Sequence, residues 1–140
     1  KAARDAAVGE AEKRGLEKPL ILAVTVLTSI SEKDLKNDWG ITRSLDDQVV
    51  QFARMAKDAG LNGVVASARE IKLIKEKVGN AFLVVTPGIR PAWYSHQDQT
   101  RVVTPREAFA MGADYIVIGR PVTASADPLE SVERIIEEVS

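Results

Sequence analysis

The sequence predicts an α/β fold made of successive β/α units on a parallel sheet. Three observations predict it. Four apolar runs rich in β-branched residues, at 20–27, 63–67, 82–86 and 115–119, are continuous rather than alternating, the pattern of parallel strands buried on both faces. Helical segments fall between the runs, and most carry their own start and stop residues. Strand and helix in regular alternation is the order that builds a parallel sheet.

Taken in order, residues 2–14 are Ala-rich with scattered charges and end at Gly15, which reads as a helix already under way, with no apolar signal-peptide core in Lys1–Asp5. The run Leu20–Leu27 is the first strand and delivers two hydroxyls, Thr28 and Ser29. A helical turn follows around Ser31–Leu35. Trp39 and Gly40 then precede a helix over 45–59, where Leu45, Val49, Phe52, Ala53 and Ala56 share one stripe. Asp46 and Asp47 sit in its first turn and complement its dipole. Gly63–Ser67 is the second strand, and Ser67 with Glu70 is a capping pair for a helix that stops at Gly79. Phe82–Thr86 is the third strand. It is followed by Pro87-Gly88-Ile89-Arg90 and a polar loop to Val102, a length that in a compact domain is usually functional. Thr104 with Glu107, and Pro105 at the first helical position, open the next helix, which ends at Gly112. Tyr115–Gly119 is the fourth strand, followed directly by Arg120, and Asp127-Pro128 with Glu130 opens the last helix.

Composition sets limits on function. With 140 residues, 45% of them hydrophobic, the chain suffices for one core, and no linker or repeat divides residues 1–140. No apolar run reaches the roughly 18 residues of a membrane span. The chain has no cysteine, so disulfides and thiolate metal sites are excluded, which suits a reducing cytoplasm. The single histidine, His96, argues against a histidine-built metal cluster or a Ser-His-Asp triad. A net charge of −1 provides no basic field for nucleic acid. A small substrate is expected, held, if anionic, by a local site.

Ligands of parallel α/β folds gather at the C-terminal ends of the strands. There the fourth strand brings Gly119, which lets an anion approach the main chain, and Arg120, whose planar fork of donors fits a phosphate or, equally, an acidic neighbour. Thr28 and Ser29 can bond a polar ring edge or cap the turn after them. Alternation alone leaves two architectures open: an open four-stranded sheet, or half of a barrel that needs eight strands and about 250 residues.

The ordered set Leu22-Ala23-Val24-Thr25-Val26-Leu27-Thr28-Ser29, Thr86-Pro87-Gly88-Ile89-Arg90-Pro91, Asp98-Gln99-Thr100-Arg101-Val102, Thr104-Pro105 and Ile118-Gly119-Arg120-Pro121-Val122-Thr123 closely resembles the C-terminal half of the bacterial orotidine 5'-phosphate decarboxylases. The resemblance runs over essentially the whole chain. It implies a (β/α)8 TIM barrel of which this chain supplies about the last four β/α units, with residues 1–140 as the C-terminal half of one barrel domain. It also implies decarboxylation of orotidine 5'-phosphate to uridine 5'-phosphate (UMP), the last step of pyrimidine nucleotide synthesis, with no cofactor or metal, in a cytoplasmic homodimer. By the same resemblance Thr28 and Ser29 line the nucleotide pocket, with Ser29 near the pyrimidine edge. Pro87 walls the base, Arg90 is a ligand-site arginine, Gln99 and Arg120 hold the phosphate, and Gly119 gives backbone approach.

The departures are specific. The family's catalytic Asp-x-Lys-x-x-Asp array is absent from these 140 residues; Asp34-Leu35-Lys36-Asn37-Asp38 has the wrong spacing and the wrong place. No catalytic residue is therefore assigned here, and the other half of the barrel is expected as the partner that supplies the lysine and carboxylates. Ala66 stands where a cysteine is expected, a packing change, and Trp93 and Tyr94 stand where small or polar residues are expected. His96 reads as a solvated side chain, Glu137 and Glu138 as a solvated face, and Arg101 as either a phosphate contact or a surface residue. The alternative functions are a non-catalytic half-barrel that binds phosphate, and a related barrel acting on a sugar phosphate.

Overall fold

In the computed structural model, which describes residues 1–94 and 103–140, the alternating runs become a parallel sheet of order β1-β2-β3-β4. Helix α1 (Ala2–Arg14) leads to β1 (Leu22–Val24), α2 (Glu32–Trp39) and α3 (Leu45–Asp58). Next come β2 (Gly63–Val65), a 3-10 turn over Ala68–Glu70, α4 (Ile71–Val78) and β3 (Leu83–Pro87). The chain continues with α5 (Pro105–Met111), β4 (Tyr115–Val117), a short α6 (Arg120–Thr123) and α7 (Pro128–Val139).

Strands that pair in chain order, joined by right-handed crossovers, put their connecting helices on one face of the sheet. A doubly wound sheet reverses its order and covers both faces; this one does not reverse. The register shows the result. On the helix side lie Val64 and Val84, paired with each other, and Thr86, paired with Ile116; Val64, Val84 and Thr86 are fully buried. The same layer takes Val49, Ala53 and Ala56 of α3 and Ile71 and Ile74 of α4. On the other face a row runs Val24–Val65–Val85–Tyr115 across all four strands, with Pro87–Val117 beside it. Val24, Tyr115 and Val117 on that face are about half exposed, at 56%, 52% and 50%. The expectation of burial on both faces is thus corrected: within this chain, helices cover only one.

Three of the strands, β1, β2 and β4, are also shorter than the apolar runs, and β3 is shifted by one residue from its run. Leu20 and Leu27 lie outside the ladder and are exposed, and Gly119 belongs to the turn into α6 rather than to β4. Thr25, Val26 and Ala66, just past the paired residues, are buried, so part of each of those two runs reports burial outside the ladder. Gly63 has a steric reason to be glycine: a Cβ there would sit 2.3 Å from the Leu83 carbonyl oxygen.

Two polar devices fix the N-terminal edge of the sheet. Asn62 exchanges bonds with Ile21, its side-chain oxygen and its N–H each at 2.9 Å. Asp114 accepts from Lys75 Nζ at 2.6 Å and from the Val84 N–H at 2.7 Å. Lys75 also donates to the carbonyls of Asn80 and Phe82, both at 3.0 Å, so one ammonium ties α4, the turn after it and the entries to β3 and β4. No helix among the described residues is long and apolar enough to cross a membrane.

Candidate functional site

The C-terminal ends of the strands are where the predicted site residues can be checked. After β1, Thr28 and Ser29 are exposed in a turn. Neither caps the next helix. Ser31 does that: its N–H donates to the Asp34 carboxylate at 2.8 Å and its hydroxyl to the same oxygen at 2.6 Å. These bonds hold the Asp34 carboxyl below its ordinary range, the hydroxyl contact contributing most. Asp34 is thereby a capping residue, and Leu35 beside it is fully buried in the core, so the Asp-x-Lys-x-Asp segment is built as a helix start.

After β2, the Ser67 N–H donates to Glu70 Oε2 at 2.9 Å, the capping pair read from the sequence, although the turn it opens is 3-10 before it becomes α4. Glu70 is 7% exposed. Burial raises its carboxyl above the ordinary range, the Asp46 charge adds to this, and the Ser67 contacts oppose it. Ala66 is buried at the same strand end, in keeping with a packing role.

After β3, Ile89 is fully buried and draws the chain inward. The Arg90 N–H donates to the Val103 carbonyl at 3.1 Å, which joins the two sides of the long loop at its base. The Arg90 guanidinium is half-buried and donates to the Ile89 carbonyl at 3.1 Å. After β4, Gly119 and Arg120 are exposed, and the Gly119 carbonyl accepts from Val122 and Thr123 at 2.9 and 3.0 Å to start α6.

A cleft of about 450 Å³ opens at these strand ends. Its walls include Thr28, Asp46, Ser67, Arg69, Glu70 and Pro87. It therefore brings together Thr28 and Pro87 of the predicted set. Ser29, Arg90, Gly119 and Arg120 do not line it, and Gln99, with His96 and Arg101, lies outside the described residues. Asp46, Arg69 and Glu70 were not read as site residues. Their local signals are a first-turn acid and a cap partner, and neither says that the side chain borders a cleft.

Trp93 and Tyr94, unexpected in this loop, have a structural role. The Arg134 guanidinium lies over the Trp93 ring, 4.1 Å from its centre, and the two aromatic rings meet edge to face at 6.3 Å. Glu138 corrects the expectation of a solvated face: it is half-buried, and its Oε2 accepts from the Ala92 N–H at 3.1 Å.

Four β/α units in sequential order, with hydroxyls, an arginine and a Gly-Arg turn at the strand ends, define half of a β/α barrel with its ligand side at the C-terminal face. The chain belongs to the orotidine 5'-phosphate decarboxylase / HUMPS family, whose model matches residues 1–135. It is 49% identical over 138 residues to the orotidine 5'-phosphate decarboxylase of Rhodospirillum rubrum, covering 99% of this chain and 56% of that protein. It is 50% identical over 131 residues to that of Syntrophomonas wolfei, covering 93% and 55%. Among solved structures, the orotidine 5'-phosphate decarboxylase of Lactobacillus acidophilus superposes with a TM-score of 0.77 at 41% identity, over 90% of this chain and 51% of that one. The chain spans about half the length of the curated relatives it matches.

Proposed function

We propose that this chain is the phosphate- and base-binding half of an orotidine 5'-phosphate decarboxylase, residues 1–140 forming the C-terminal half of one barrel domain. The observation that carries the reading is the placement of Thr28 and Pro87 in one cleft, with Arg90 and Gly119–Arg120 at the neighbouring strand ends, in a chain of this family. Thr28 and Ser29 bind the pyrimidine side of orotidine 5'-phosphate and Pro87 walls the base. Gln99 and Arg120 hold the phosphate, Gly119 leaves its backbone open to it, and Arg90 is a ligand-site arginine. A remote dianion gripped this way supplies binding energy that is realised as transition-state stabilisation at the base. The proton-donating lysine and the opposing carboxylates come from the other half of the barrel, and the working enzyme is a cytoplasmic homodimer that needs no cofactor.

The test is Arg120→Ala in the complete enzyme. UMP binding is expected to weaken by about 2–4 kcal/mol, the range for truncating one partner of a hydrogen-bonded charge pair, while binding of uridine, which has no phosphate, stays as it was. Unchanged UMP affinity would sink the assignment. Competition between UMP and a pentose phosphate decides against a sugar-phosphate barrel if UMP wins.

A further inference from the structure

Helix α7 is bonded to both chain segments that the proposed function assigns to the nucleotide. In its first turn it is tied to the segment that follows Arg120. The Arg120 carbonyl accepts from the Ala124 N–H at 3.0 Å within α6, and the Ser125 hydroxyl accepts from that of buried Ser131 at 2.8 Å. Further along, α7 holds the segment that leaves β3. Glu138 Oε2 accepts from the Ala92 N–H at 3.1 Å, and the Arg134 guanidinium lies 4.1 Å from the centre of the Trp93 ring. Ile89 and Pro91, on either side of Arg90, are fully buried, so the path from Pro87 to Trp93 is fixed at several points.

Burial of apolar surface does not explain this arrangement. Ser131, Arg134 and Glu138 share one face of α7 by helical spacing, while Leu129, Val132, Ile136 and Val139 lie on the opposite face and are exposed. The contact with the loop also leaves Trp93 Nε1 and Glu138 Oε1 buried without a hydrogen-bond partner, which costs free energy. The helix thus turns polar side chains toward the loop and its apolar stripe away from it. Such a contact serves placement rather than burial.

We propose that α7 is a spacer matched to a nucleoside monophosphate. It sets the distance between the Pro87 segment, which walls the base, and the Gly119–Arg120 turn, which holds the phosphate. Trp93, Arg134 and Glu138 are positioning residues that act through those two segments, and the inference rests on the reading of the segments given under Proposed function. A nucleotide held at both ends binds as a linked pair, the second contact being intramolecular once the first is made. Its affinity depends on the spacing. A ligand held at one end is indifferent to it.

The test is Glu138→Ala in the complete enzyme, titrated with UMP, uridine and ribose 5-phosphate. UMP affinity is expected to fall on the order of tenfold, within the range for coupled groups, while uridine and ribose 5-phosphate, each engaging one end, bind as before. Trp93→Leu should show the same pattern, and Glu138→Gln, which keeps an acceptor for the Ala92 N–H, should restore UMP binding. In the Arg120→Ala background UMP is held at one end, so adding Glu138→Ala should cost less than about twofold. If Glu138→Ala does not fold, Arg134→Met, a change at an exposed side chain, gives the same reading. A purely structural contact would move the unfolding midpoint and leave the three affinities unchanged, which overturns the proposal. It is equally overturned if all three ligands weaken alike, or if the loss is as large in the Arg120→Ala background. Failure of Arg120→Ala alone to weaken UMP binding would instead overturn the phosphate assignment, and this proposal with it.

Discussion

Replacing Asp114 by alanine tests the central polar contact of the fold. The carboxylate accepts from Lys75 Nζ at 2.6 Å and from the Val84 N–H at 2.7 Å, and the side chains are 10% and 29% exposed for lysine and aspartate. Removing one member of a buried pair costs about 3–5 kcal/mol because the other charge stays buried and unpaired. Here Lys75 keeps two carbonyl acceptors and Asp114 is partly wet, which pulls the value toward the lower end. Losing the acceptor for Val84 pushes it back. About 3 kcal/mol is expected for Asp114→Ala in urea unfolding. Lys75→Met is the informative comparison. It removes the more buried charge and leaves Asp114 bonded to Val84, so its cost should be about 1–2 kcal/mol. The double variant should cost less than the two singles together by about 1 kcal/mol or more, the signature of residues in contact. Single costs that add within about 0.5 kcal/mol, or a larger loss for Lys75→Met than for Asp114→Ala, would refute this reasoning.

Gly63→Ala should destabilise by about 2–3 kcal/mol, the upper part of the range for overpacking, because the new methyl would meet the Leu83 carbonyl at 2.3 Å and Leu83 Cβ at 2.5 Å; a loss near zero in urea unfolding would show that β2 can shift freely against β3. Glu70→Gln should change stability with pH. The folded carboxyl is raised above its ordinary 4.5, so its contribution is fully present below that value and is lost as pH rises through the folded value. The variant should therefore gain on the native protein as pH rises from the ordinary carboxyl value through the raised folded one, and a constant difference in unfolding free energy would count against burial as the cause. Thr104→Ala removes the hydroxyl that accepts from the Glu107 N–H at 3.3 Å and donates to its carboxylate at 3.0 Å, a capping loss of about 1 kcal/mol; an unchanged urea midpoint would mean that Pro105 alone sets the start of α5.

What could be read in the sequence was what is local in the chain. Ser67 with Glu70 and Thr104 with Glu107 are three residues apart, and the structure contains both contacts. At Asp127 the cap is one-sided: Oδ1 accepts from the Glu130 N–H at 3.0 Å. The stripe from Leu45 to Ala56 was legible for the same reason, since one period fixes one face. Helix α6 was not, because four residues carry no period. Lys75 with Asp114, and Arg134 with Trp93, were not legible either: each pair is set by which strand and helix ends the topology brings together, and no spacing rule encodes that. For the candidate site, Thr28 and Pro87 line one cleft, which no spacing along the chain encodes. Ser31 rather than Ser29 proved to be the cap of α2, which sequence could not decide between neighbouring hydroxyls.

The strand order has a consequence for how the chain acquires its structure. Each strand pairs with the strand before or after it in sequence, so every ladder closes a loop of a single β/α unit. Closure entropy grows only slowly with loop length, and no pairing has to wait for a distant segment. The pair β2–β3 is central, with a neighbour on each side, and its helix layer holds fully buried Val64, Val84, Ile71 and Ile74. That pair is the natural seed, onto which β1 and β4 add from opposite sides. Its amides should be the last to exchange with solvent, while those of β1 and β4 open in smaller, cheaper fluctuations.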